Sequence, residues 1–77
     1  MSKTEYAWVI QRDDGKFYVR TRKSGHRIRH LYSPRLLYAH FENCESEAEE
    51  TIKVYNLQNC RPVRVKIEIV GEDDGNW

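Results

Sequence analysis

The sequence predicts an α+β fold, a small antiparallel sheet of three to four strands with one main α-helix packed on one face, in the order βββαβ or ββαβ. Three observations predict it. Apolar residues alternate with period two near both ends of the chain, they recur with helical period between 44 and 55, and two glycine-containing turns separate the early strands. Seventy-seven residues hold one core only. The chain therefore reads as a single domain over 1–77, closed by an acidic stretch over 71–77 that is expected to be a flexible tail.

The first strand is expected over Tyr6–Gln11, with Tyr6, Trp8 and Ile10 on one face. Asp14-Gly15 then signals a hairpin, because both positions tolerate positive φ. A two-residue loop there sets Arg12 opposite Phe17, Ile10 opposite Val19 and Trp8 opposite Thr21, which brings the apolar partners to one face. Ser24-Gly25 offers a second turn. The same counting pairs Thr21 with Ile28, Val19 with His30 and Phe17 with Tyr32, across a third strand from about His26 to Tyr32. On the other face it sets Arg20 opposite Arg29 and Arg22 opposite Arg27, and like charges facing each other destabilise a ladder. Nothing in folding explains that cost.

Ser33-Pro34 reads as an N-cap followed by proline at the first helical position, opening a short turn through Leu36, Leu37 and Ala39. A longer helix follows, capped by Asn43 or by Ser46, the latter forming a capping box with Glu49. Its early glutamates suit the positive end of the helix dipole. Cys44, Ala48, Ile52 and Tyr55 form its apolar stripe, and Asn56 stops it in the left-handed conformation with Leu57 folding back. Val63, Val65, Ile67 and Ile69 then alternate with Arg64, Lys66 and Glu68 in the last strand. The first strand is expected at the centre of the sheet, between the second and the last, because sequential elements tend to be neighbours.

Composition narrows the function classes. An apolar share of 39% with nine aromatic residues (two Trp, five Tyr, two Phe) suits a compact core and argues against disorder. No run approaches the ~20 apolar residues of a membrane span and no signal peptide opens the chain, so the expected location is the cytoplasm, with no membrane partner. Cys44 and Cys60 are then expected to be reduced thiols acting as small apolar groups at the helix ends. With His26 and His30 they have the wrong spacing for a zinc site, so no metal or cofactor is expected. Phosphate-loop, nucleotide-binding and nucleophile-elbow patterns are missing from the sequence, and no catalytic residue is proposed; the chain reads as a non-enzyme.

Charge is the informative feature. The chain sums to +1, yet between Gly15 and Phe41 it carries Lys16, Arg20, Arg22, Lys23, Arg27, Arg29 and Arg35 with no acidic residue, while Glu42, Glu45, Glu47, Glu49 and Glu50 follow at once. Such separation speaks to partners rather than to fold. The candidate binding residues are Arg20, Arg22, Lys23, Arg27 and Arg29, with Tyr18 among them. The plain alternative is a solvated sheet face kept from aggregating by long basic side chains. Arginine forks grip carboxylates and phosphates alike, so the partner carries one or the other. Trp77 ends the tail beside aspartates, and reads as a frayed end or as a docking aromatic.

The opening strand with its Asp14-Gly15-Lys16 hairpin (Trp8 to Tyr18), the segment Ser33 to Phe41 leading into a glutamate-rich helix, and the alternating final strand together resemble a group of short phage and prophage proteins. That resemblance implies a non-enzymatic accessory or anti-defence inhibitor in the bacterial host cytoplasm, one that blocks host nucleases, defence complexes or repair enzymes by occupying a surface. The group shares no site motif, so no site residue is carried over. The expected function is thus a protein–protein interaction module that binds a host protein or nucleoprotein complex through its arginine-rich face. The alternative is a small nucleic-acid-binding domain that sets the same arginines on phosphates, with Tyr18 or Tyr32 stacking on bases. Self-association of the basic face with the acidic helix is a third reading.

Overall fold

A computed structural model describes residues 2–70. Its elements are β1 (Ser2–Arg12), β2 (Phe17–Ser24), β3 (Arg27–Ser33), a 3₁₀ turn (Leu36–Tyr38), α1 (Glu45–Tyr55) and β4 (Cys60–Val70). The four strands form an antiparallel sheet in the order β3-β2-β1-β4, with β1 central as the sequence suggests. The expected tail over 71–77 and the readings of Trp77 lie outside the described residues. No helix among the described residues is long and apolar enough to cross a membrane.

The longest pairing joins the first and last strands, from Ser2 opposite Val70 to Arg12 opposite Cys60. Val9 faces Val63 and Ala7 faces Val65, so the alternation read in β4 has an apolar counterpart in β1. On the other face Ile10, fully buried, joins Tyr18, Ala48 and Leu57 in the core, with Trp8, Tyr32, Ile52 and Cys60 against it.

Both predicted hairpin registers are wrong by residues that the structure places in the turns. At the first turn the Gly15 N–H bonds the Arg12 carbonyl (2.9 Å) and the Arg12 N–H bonds the Lys16 carbonyl (2.8 Å), so Asp13, Asp14 and Gly15 form a three-residue loop. Gly15, at φ 90°, takes the left-handed position that ends such a loop, and Gln11 rather than Arg12 faces Phe17. The expected pairs Ile10/Val19 and Trp8/Thr21 do not form. Instead β1 and β2 part, and segment 40–42 fills the fork: Trp8 and Glu42 exchange backbone hydrogen bonds (2.9 and 2.8 Å), and the His40 N–H donates to the Tyr18 carbonyl (2.9 Å).

At the second turn Ser24 faces Arg27, which leaves Gly25 and His26 as the loop residues instead of Ser24 and Gly25. Gly25 has φ 61°, and glycine with positive φ at the first of two loop positions is what a type II′ turn requires. Nearer the base, Tyr18 faces Tyr32 and Phe17 faces Ser33, and a β-bulge between Tyr18 and Arg20 reconciles the two registers. The tip therefore pairs Arg20 with Leu31, Thr21 with His30, Arg22 with Arg29 and Lys23 with Ile28. Arg22 meets Arg29, not Arg27, and Arg20 meets an apolar partner.

The helix N-cap is Cys44, one position after Asn43 and two before Ser46, with no side-chain cap bond. Glu47 reaches back instead, its carboxylate accepting from the Asn43 N–H (3.2 Å). Within the expected stripe Ala48 is fully buried and Ile52 packs on the core, whereas Cys44 and Tyr55 are exposed. Helix termination follows the sequence reading. Asn56 is left-handed (φ 54°, ψ 51°), its N–H bonds the Lys53 carbonyl (3.3 Å), and the N–H of buried Leu57 bonds the Ile52 carbonyl (3.0 Å).

Candidate functional site

Strand alternation beyond the bulge sorts the basic residues. Arg20, Arg22, Ser24, Arg27, Arg29 and Leu31 fall on one face of the β2–β3 ribbon; Thr21, Lys23, Ile28 and His30 fall on the other. The second face continues the side on which Tyr18 enters the core. Tyr18 and Thr21 hydroxyls lie 2.7 Å apart, and the Thr21 hydroxyl lies 2.9 Å from His30 Nδ1. Residues 22–29 are all exposed.

Of the predicted site residues, Arg20, Arg22, Arg27 and Arg29 thus share a face. Lys23 does not; it projects from the reverse side beside Ile28. Tyr18 is removed from the surface altogether, at 3% exposure, with Tyr32, His40 and Tyr55 rings within 6.0–6.4 Å. Burial raises its pKa above the ordinary tyrosine value, and the hydrogen bond to Thr21 opposes that shift. The ring is core because the bulge turns it toward Ile10 and Ala48. Tyr32 is committed as well. Its ring carries the Arg12 guanidinium at 3.9 Å, its hydroxyl lies 3.5 Å from Cys60 Sγ, and burial followed by the Cys60 contact pushes its pKa up to about 12. Tyr18 offers no exposed face for stacking, and one face of the Tyr32 ring is taken by Arg12.

The arginine face holds a shallow depression of about 250 Å³ lined by Arg22, Ser24, Arg27 and Arg29. Ser24 was missed by the sequence reading, although a Gly-x loop at Gly25-His26 would have placed it there. Among the described residues, none of Arg20, Arg22, Lys23, Arg27 or Arg29 has an ion pair or side-chain hydrogen bond. Arg12, Arg61 and Arg64 differ. Arg12 grips Asp14 at 2.7 Å, which together with the Lys16 N–H lowers the Asp14 pKa to about 2; Arg64 lies over the Tyr6 ring (4.9 Å), and Arg61 reaches Gln11 (3.4 Å).

Two further depressions lie on the surface. Arg20 borders one of about 300 Å³ together with Thr21, His40, Thr51 and Tyr55. There His40 Nε2 meets a Glu42 carboxylate oxygen at 2.7 Å, and the Thr51 hydroxyl donates to the same oxygen (2.9 Å), so these groups tie segment 40–42 to α1. The other, about 370 Å³, is lined by Ser46, Glu49, Glu50 and Lys53 and mixes both charge signs. His26, His30, Cys44 and Cys60 are scattered over separate elements, and among the described residues no group of three or more His, Cys, Asp or Glu is placed to hold a metal ion.

Compared with known proteins, the chain matches no family profile, no curated protein and no solved structure.

Proposed function

We propose that this chain is a non-enzymatic binding module that engages an anionic macromolecular partner through the β2–β3 ribbon, as a phage-type accessory factor that occludes a host protein or nucleoprotein complex. The observation that carries the reading is the set Arg20, Arg22, Arg27 and Arg29 on one exposed ribbon face, with no acid paired to them among the described residues. The Arg22/Arg29 opposition costs folding free energy that a bound anion removes. Solvation alone would be served as well by residues of mixed sign, which impose no such cost.

Heparin, a sulfated polyanion, is a sufficient probe. The wild type is expected to elute from immobilised heparin at higher salt than Arg22→Glu/Arg27→Glu. The control Arg61→Glu/Arg64→Glu makes the same change in net charge on β4 and is expected to elute closer to the wild type. Equal losses in the two double variants would show that net charge, not the ribbon, governs binding, and would overturn the proposal.

A further inference from the structure

We infer that the β2–β3 ribbon enters the major groove of B-form DNA as a two-stranded wedge. This rests on the anion-binding reading above and narrows its partner to the phosphate-bearing member of the class.

The first support is freedom on both edges. Segment 40–42 occupies the place beside β1 that the outer part of β2 would otherwise take, since Glu42 pairs with Trp8 and the His40 N–H caps the Tyr18 carbonyl. Past Tyr18 the ribbon is left as two strands only, with β3 at the sheet edge. Strands ~4.8 Å apart make a blade that, with its side chains, suits a groove ~12 Å wide and ~8.5 Å deep. From Arg20 to Ser24 it extends roughly 14 Å at ~3.4 Å per residue, long enough to carry Arg20, Arg22, Arg27 and Arg29 along the phosphates that line the groove.

The second support is how charge is distributed around the blade. An acidic patch on a protein needs basic groups on one side. Here Arg20, Arg22, Arg27 and Arg29 lie on one face and Lys23 on the other, with exposed Ile28 beside it, over a stretch 20–29 that contains no acid. A groove has phosphates along both walls and so uses both faces. The glutamates of α1 sit on a helix that meets β1 and β4, away from the tip. Insertion of the tip alone keeps them clear of the duplex.

The test uses the full chain and four fluorescent probes at two salt concentrations: a 20-base-pair DNA duplex, one of its strands, an RNA duplex of the same sequence, and poly-glutamate. Groove entry predicts that the DNA duplex is bound in preference to the other three, because the A-form major groove of RNA is too narrow and deep to admit the blade. Five basic groups meeting phosphate predict a loss of about 500-fold in affinity between 50 and 200 mM salt. Arg22→Ala/Arg29→Ala, which removes the like-charge opposition and keeps the fold, is expected to reduce the salt slope by about 2. A major-groove ligand such as methyl green is expected to compete, and a minor-groove ligand such as netropsin is not. Equal binding of DNA and RNA duplexes, or competition by netropsin alone, overturns groove entry. Poly-glutamate binding without duplex binding also overturns it while leaving the anion-binding reading intact. Failure to bind any probe overturns both.

Discussion

Replacing Arg29 with glutamate should make this protein more stable and a weaker anion binder at the same time. Arg29 lies directly across from Arg22, where Cβ atoms of paired residues are ~5 Å apart and the charged ends roughly 7 Å. Both side chains are exposed, so the water value applies: about 0.6 kcal/mol of repulsion becomes about 0.6 kcal/mol of attraction, a swing of ~1 kcal/mol. In a domain of this size that raises Tm by roughly 4–8 °C. Thermal melts followed by circular dichroism measure it at low salt, and the gain should nearly vanish at 1 M salt, where the screening length is ~3 Å. Arg27→Glu serves as the register control. Its cross-strand partner is Ser24, its nearest cross-strand arginine is only diagonal, and its gain should be smaller. Arg22→Glu/Arg29→Glu restores like charges and should lose the gain. A larger rise for Arg27→Glu than for Arg29→Glu would refute the pairing, and no rise for either would refute the claim that the arginine opposition strains the fold.

The remaining predictions concern the turn, the core and titration. Gly15→Ala places a side chain at φ 90° where no atom lies within 4 Å, so its cost of about 1–3 kcal/mol in urea denaturation is purely conformational, and Gly15→Asn should recover part of it. Ile10→Val removes one methylene from a fully buried position and should lower stability by about 0.5–1.5 kcal/mol in the same assay. Tyr32 has a folded-state pKa raised to about 12, so its contribution is complete below the ordinary tyrosine value of ~10 and is lost as pH rises through about 12; the alkaline limb of a stability–pH profile should flatten in Tyr32→Phe. Asp14 is held down at about 2, first by the Arg12 hydrogen bond. Its contribution is present above the ordinary aspartate value of ~4 and is lost as pH falls through about 2, so Asp14→Asn should flatten the acid limb.

The element order and the central place of β1 were legible because they depend on local periodicity and on chain neighbours. The helix stop at Asn56-Leu57 was legible for the same reason, since its hydrogen bonds all fall within six residues. Registers were less so. Both glycine turns were read as two-residue loops with glycine last, but Asp13-Asp14-Gly15 closes as a three-residue loop and Gly25-His26 as a loop with glycine first. Each slip moves every partner by one or two positions, which sets Arg22 against Arg27, and unbroken alternation through the bulge sets Tyr18 among the surface arginines. The alternation test that supported the first register assumed that β1 and β2 stay paired; they part after Gln11 and Phe17, and segment 40–42 takes up the bonds.

The sequence by itself determined the inventory: a small α+β fold with three early strands and one late one, one helix stopped at Asn56, and a basic stretch without acids. These follow from residue type and spacing, which act over a few positions. Only the tertiary structure decided which basic residues share a surface. The bulge at Tyr18–Arg20 turns Tyr18 inward and sets four arginines on one side with Lys23 on the other, and the wedge of residues 40–42 frees the ribbon from β1. Both depend on pairing between separate segments, 11 to 14 residues apart at the bulge and more than twenty apart at the wedge, whose geometry no local pattern encodes.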